Sequence, residues 1–238
     1  MTPSSRRLAV VTGIGRKGQT GEIIARTLAE AGMRIIAVAR HADEAQARVD
    51  DLRGAGHDAQ SFACDLADEA QVATLARDVA TAAGSPRVDV LVNIAGGFAM
   101  SGSVAESTLA TWNTQVSINL LTAYLATRAF LPLLRAARGS IIYFASAVAL
   151  PGASVANMWA YAASKSSVVA LMRAVAEEER ANGVRANALA PTAIRTDANL
   201  ESMGDKTRYV EREDVAAAVA WLGSDASRAV SGQVIRLG

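Results

Sequence analysis

The sequence predicts an α/β protein built on a doubly wound, seven-stranded, mostly parallel sheet with helices on both faces. Three observations carry this. Seven short β-type runs alternate with six long helical patterns along 238 residues. Several runs are near-continuously apolar, as strands buried on both faces must be. A glycine-rich stretch, TGIGRKGQTG at 12–21, lies between the first run and the first helical pattern. At this size, with 51% hydrophobic residues, one domain spanning 1–238 can bury a substantial core. No internal repeat, low-complexity tract or linker divides it.

The first run is Leu8–Thr12. The helical pattern at 20–31 places Ile24, Leu28 and Ala31 on one face and stops at Gly32. Next come a run at Arg34–Ala39, a helix at 42–54, a run at Asp58–Ala63 and a helix at 68–83. The run at Val88–Val92 leads into a long helix at 108–136, and Ser140–Ala145 into another at 158–181. Val184–Ala190 precedes residues 191–211, the one long irregular stretch, read as a substrate loop. A helix at 212–223 and a run at Gln233–Leu237 complete the chain.

The formal net charge of +1 gives no reason to expect nucleic acid or an anionic membrane as partner. The single cysteine, Cys64, excludes an internal disulfide framework and fits a reducing compartment. The apolar stretch after Arg6 and Arg7 is too short for a signal-peptide core. No window approaches the roughly 20 apolar residues of a membrane span. These features predict a cytoplasmic protein, and no metal site is expected.

In sheets of this kind, ligands bind beyond the carboxyl ends of the strands. A glycine turn between strand and helix lets backbone N–H groups approach a pyrophosphate. Val10-Val11-Thr12 make Gly13 the turn glycine, and Ile23-Ile24-Ala25 make Gly21 the close-packing glycine of the helix. Gly15 and Gly18 remain for phosphate, Gly18 preferred. The second run ends in Ala39-Arg40, without the acid that would bond a ribose 2′-hydroxyl. Arg40, with Arg16 and Lys17 in the loop, can instead hold a 2′-phosphate, which favours NADP(H). Asp65, with Leu66 beside it, is a candidate for the adenine amino group. Asp65 could equally cap the next helix, a role Asp68 can fill as well.

The sharpest signal is Tyr161-Ala-Ala-Ser-Lys165. On a helix these two residues share a face, and a lysine cation there is expected to lower the phenol's pKa. Lys17, Lys165 and Lys206 are the only lysines, so a lysine four after a tyrosine stands out. Ser146, at the end of the fifth run, can hydrogen-bond a substrate oxygen.

With these motifs in order, the chain resembles the short-chain dehydrogenase/reductase family from Val10 to Leu237. Asn93-Ile94-Ala95-Gly96 is similar to the family's N-N-A-G segment. Val116-Ser117-Ile118-Asn119 is similar to its N-V-N segment, and Ala190–Thr196 to its P-G-x-x-x-T segment, with Thr192 where glycine is usual. Gly232–Arg236 matches the last strand. The resemblance implies a Rossmann fold, with Tyr161 as general acid in reduction and base in oxidation. It makes Lys165 the tyrosine's modulator and a ribose ligand, Ser146 the residue that orients the substrate oxygen, and Asn119 the holder of a water in a proton relay. Asn93, Ile94 and Ala95 would line the cofactor, as would Pro191, Ile194 and Thr196. Three departures stand out: a glycine loop two residues longer than the family's, an enlarged loop at 147–160, and a short segment from Thr196 to Asp214.

Candidate substrate-pocket residues are Phe98, Met100, Val148, Leu150, Trp159, Ile194 and Met203. They carry no charge, so a largely apolar ketone or secondary alcohol is the expected substrate. An alternative is a 3-oxoacyl-(acyl carrier protein) reductase, which would need basic residues such as Arg128, Arg135 and Arg138 near the entrance. A non-catalytic NADP(H)-binding sensor is the alternative of another class. The apolar excess of the two long helices, with the family's habit, predicts a homodimer or homotetramer.

Overall fold

The computed structural model describes residues 6–238. Seven strands run parallel in the order β3-β2-β1-β4-β5-β6-β7. They are β1 (Leu8–Thr12), β2 (Arg34–Ala39), β3 (Ala59–Ala63), β4 (Val90–Asn93), β5 (Ser140–Phe144), β6 (Arg185–Pro191) and β7 (Val234–Leu237). The helices are α1 (Thr20–Glu30), α2 (Ala42–Gly54), α3 (Glu69–Ala83), α4 (Leu109–Val116), α5 (Thr122–Ala137), α6 (Trp159–Glu178), α7 (Asp197–Met203) and α8 (Arg212–Gly223). β1, β4 and β5 are buried throughout, whereas edge strands β3 and β7 are only partly covered.

Period-two alternation along the strands divides the core between two faces. Val10, Leu91, Ile141 and Tyr143 pack against α3, α5 and α6. Ala9, Val11, Val90, Val92 and Ile142 pack against α1, α2 and α8. The strand order reverses between β1 and β4, so the crevice for a ligand opens beyond their carboxyl ends.

Two expected elements differ. The helix read over 108–136 is interrupted by one π-turn at Ser117–Leu121, which re-aims the buried Asn119. The 191–211 stretch is more ordered than expected. The Thr196 hydroxyl accepts the Asn199 N–H at 3.2 Å and starts α7, and Ile194 bridges to Val210. A helix of seven residues has too few turns to show periodicity, so only its cap marked it. Residues 109–137 also reach membrane-span length, with a mean hydropathy of 1.3 over the most apolar window. The sequence reading found no such window. Here Leu125, Ala126, Phe130 and Leu134 belong to the core beneath α5.

Candidate active site

Two cavities at the carboxyl edge both border Gly96. The first, about 380 Å³, lies between the turn after β1 and the ends of β2 and β3. The second, about 480 Å³, lies over the ends of β4, β5 and β6.

The glycine turn is held by close packing. Gly13 has φ 70°, and a Cβ there would sit 2.7 Å from the Ala95 Cα. A Cβ at Gly21 would sit 2.9 Å from the Gly13 carbonyl, so α1 begins directly against the turn. Gly13, Ile14 and Gly15 line the first cavity, together with Arg40, Asp65, Leu66 and Ala95. Gly18 does not. Its N–H donates to Glu22 Oε2 at 2.7 Å, and the Asp197 carboxylate packs onto its α-carbon. The glycine preferred for phosphate is thus occupied by side chains of α1 and α7.

The three loop and strand-end cations diverge. Arg40 lines the first cavity with His41 and Glu44, which the sequence reading missed. Arg16 is 86% exposed, with Nε 3.9 Å from Glu44. Lys17 instead borders a cleft between α1 and α2, beside Glu22 and Glu30. Asp68, rather than Asp65, caps α3, accepting from Ala70 and Gln71 at 2.9 and 3.1 Å. Asp65 lies free at the cavity except for a bond from Ala67 N–H at 3.0 Å. Cys64 lines the same cavity, but burial, with Asp65 and Asp68 nearby, pushes its thiol up to about 11, which leaves it unreactive.

Ser146, Tyr161 and Lys165 converge on the second cavity. β5 ends just before Ser146, and α6 presents Tyr161 and Lys165 one turn apart. Lys165 is 5% exposed and donates from Nζ to the Phe144 carbonyl at 2.8 Å. Burial pulls its pKa down to about 8. Burial also raises the Tyr161 phenol, and a hydrogen bond with Ser146 opposes that rise. The lowering expected from Lys165 is not seen, burial raising the phenol instead; the ammonium lies under the ring, 5.9 Å from the centroid, with one of its three N–H donors on the Phe144 carbonyl.

Asn119 accepts the Gly97 N–H at 3.1 Å and donates to the Gly97 and Gln115 carbonyls at 2.9 and 3.1 Å. A Cβ at Gly96 would lie 2.6 Å from Asn119 Oδ1 and 3.4 Å from Lys165 Nζ. Gly96 therefore occupies the gap between these two side chains, and no larger residue fits there.

Ile94, Pro191 and Ile194 line the second cavity, joined by Thr20, Thr192 and Asn199, which the sequence reading did not pick out. Asn93 points the other way, donating to Thr127 Oγ1 at 3.1 Å inside the core. Thr196 is spent on capping α7. Among the substrate candidates, Phe98, Val148, Ile194 and Met203 line the cavity. The Phe98 ring meets Tyr161 edge-on at 5.1 Å. Met100 is exposed and Leu150 packs against the core. Trp159 stacks on Trp112 at 5.5 Å. None of these three reaches the cavity lining.

A family model described as enoyl-(acyl carrier protein) reductase matches residues 13–237. The D-threitol dehydrogenase of Mycolicibacterium smegmatis is 33% identical, over 95% of this chain and 89% of that protein. A protein described as an NAD(P)-dependent gluconate 5-dehydrogenase from Beutenbergia cavernae, solved with NADP, superposes with a TM-score of 0.86 at 34% identity, covering 97% of this chain and 94% of that one. A 7α-hydroxysteroid dehydrogenase solved with NADH and 7-oxo glycochenodeoxycholic acid gives a TM-score of 0.88 at 28% identity, covering 97% and 92%.

Proposed function

The chain belongs to the short-chain dehydrogenase/reductase family of oxidoreductases, and on that footing we propose that it transfers a hydride between NADP(H) and a largely apolar ketone or secondary alcohol. The observation that carries this reading is the second cavity. It gathers Ser146, Tyr161 and Lys165, and Lys165 is the only charged side chain in its lining. A polyanionic substrate would have to desolvate there with that single cation as its partner. The steroid bound by one structural neighbour supports the same substrate class.

The residues at hand fit a dinucleotide. The Gly13 turn has no room for a Cβ, and the two cavities both border Gly96. Gly13, Gly15, Asp65, Leu66 and Ala95 would hold the adenosine half. Arg40, with Arg16, would hold the 2′-phosphate by charge-assisted bonds, whereas Lys17 borders a different cleft. Ile94, Pro191 and Ile194 would line the other half. When bound, the nicotinamide supplies or accepts the hydride. Ser146 donates to the substrate oxygen and orients it toward the Tyr161 hydroxyl. Tyr161 gives its proton to that oxygen in reduction and takes it back in oxidation. Lys165, protonated below about pH 8, stabilises the phenolate that reduction leaves behind. Asn119 fixes Gly97 and so keeps open the space between itself and Lys165.

None of the three arginines offered for carrier-protein docking lines the second cavity. Arg128 is held by Glu69 at 2.5 Å and Arg135 by Glu179 at 2.6 Å, and Arg138 lies at the far end of the sheet. The sensor reading has no support beyond the lengthened glycine loop. Self-association through α5 and α6 would cover Tyr124, which is 43% exposed. A carbonyl panel run with both reduced cofactors tests the proposal. The expected result is turnover of apolar ketones with kcat/KM for NADPH above that for NADH. Preference for NADH would remove Arg16 and Arg40 from phosphate recognition, and turnover confined to sugar phosphates would reject the substrate class.

A further inference from the structure

The opposite edge of the sheet carries a cavity of a different kind, about 300 Å³, at the amino ends of β5 and β6. Its lining brings together Arg7, Arg138, Arg180, Arg185 and Arg228 against one carboxylate, Asp225. Part of this charge has a structural use. α5, α6 and α8 all end here, and each helix carboxyl end carries roughly half a negative charge. Arg7 donates to the Gly223 carbonyl at 2.7 Å, and Arg185 to those of Leu222 and Ser224 at 2.8 and 3.3 Å. These two guanidinium groups answer the end of α8.

Arg138, Arg180 and Arg228 remain exposed at the rim. The neighbouring carboxylates are committed elsewhere. Glu179 takes two bonds from Arg135, at 2.6 and 2.8 Å, and Asp89 takes the Leu8 N–H at 2.8 Å. Arg138 also holds an unusual backbone conformation, φ 52° at the end of α5, a place where glycine or asparagine is common. Its side chain lies along Gly183, whose missing Cβ leaves that path clear, 3.2 to 3.4 Å from the arginine's methylenes. The fold thus keeps a long cation at a position that favours a small residue. Guanidinium forks match phosphate oxygens two at a time, and the cavity is large enough for a small phosphorylated molecule.

We infer that this arginine-lined cavity binds a small anion of phosphate-ester or diphosphate chemistry, at a site separate from the dinucleotide cavities. Ser140 in its lining and Phe144, whose carbonyl holds Lys165, are the two ends of β5. The two sites are therefore roughly 13 Å apart along one strand.

Calorimetric titration of the purified chain with inorganic pyrophosphate tests this, with NADPH or NADH present at saturation so that the dinucleotide cavities do not report. The expected result is one pyrophosphate per chain, bound more weakly as salt is added. The double variant Arg180→Gln/Arg228→Gln should weaken it at least tenfold and leave turnover unchanged. Both side chains are exposed; should the pair fail to fold, Arg138→Gln alone should weaken binding severalfold. No binding beside saturating dinucleotide, or equal binding by wild type and variant, overturns the inference. So does a variant that changes only the oligomeric mass in light scattering, which would make this face a contact between copies.

Discussion

The two halves of the ligand crevice are built in opposite ways. At the catalytic half, the polar groups are buried, and Lys165 and Asn119 are held by named partners. Lys165 is held by the Phe144 carbonyl, Asn119 by Gly97 and Gln115, and Ser146 is 9% exposed. At the adenosine half, the groups that would read the cofactor stand in solvent. Arg16 is 86% exposed and its nearest acid, Glu44, is 30% exposed. Charges in the interior interact strongly, whereas an exposed pair is worth about 0–1 kcal/mol. The chemistry is therefore set by packing, and the choice between NADP(H) and NAD(H) by a few surface charges that substitution can change without touching the fold.

The contrast can be broken at its buried end first. Lys165→Met should lower turnover roughly 10²–10⁴-fold, the range of a lost acid–base contribution. The same variant reports on burial. The folded-state pKa of Lys165 is depressed from 10.5 to about 8, so between those values the unfolded chain binds more protons and stability rises with pH. The rise is at most roughly 3.4 kcal/mol at 1.36 kcal/mol per unit. Denaturant melts from pH 8 to 10.5 should show it in the wild type and a flatter profile in Lys165→Met. Equal slopes would mean that Lys165 is not a buried cation.

Gly96→Ala sharpens the comparison. The added methyl meets Asn119 Oδ1 at 2.6 Å, and overpacking of this kind costs roughly 1–3 kcal/mol. A lower Tm with reduced kcat is expected. A variant as stable and active as wild type would show that the catalytic half is looser than its hydrogen bonds imply. Arg40→Ala should have the smallest effect and confine it to one cofactor. Loss of a charge-assisted bond to phosphate, about 1.5 kcal/mol, raises KM for NADPH about tenfold. KM for NADH should be unchanged, and a matching rise there would place Arg40 outside phosphate recognition.

The same contrast explains what could be read in the sequence. Strands with unbroken apolar runs, and the Tyr161/Lys165 pair on one helix face, follow from local spacing, and the fold places them where that spacing predicts. What escaped depends on partners far along the chain. Gly18 is covered by Asp197, which only the fold brings near. Asn93 turns inward because Thr127 of α5 offers a buried hydroxyl. Trp159 leaves the pocket because Trp112 of α4 gives it a ring to stack on. Lys17 and Arg40 look equivalent as cations, yet they line different cavities. Side-chain direction at a loop or helix start has no periodicity to announce it.

The most direct test of the hydride-transfer account joins turnover to binding in one variant, Tyr161→Phe. It removes one oxygen from a ring already packed edge-on against Phe98, so the cavity should keep its shape. NADPH binding, followed by fluorescence titration, should stay within about twofold of wild type, and NADPH oxidation with an apolar ketone should fall by roughly 10²–10⁴-fold. Turnover at the wild-type rate in that variant would contradict Tyr161 as the proton donor.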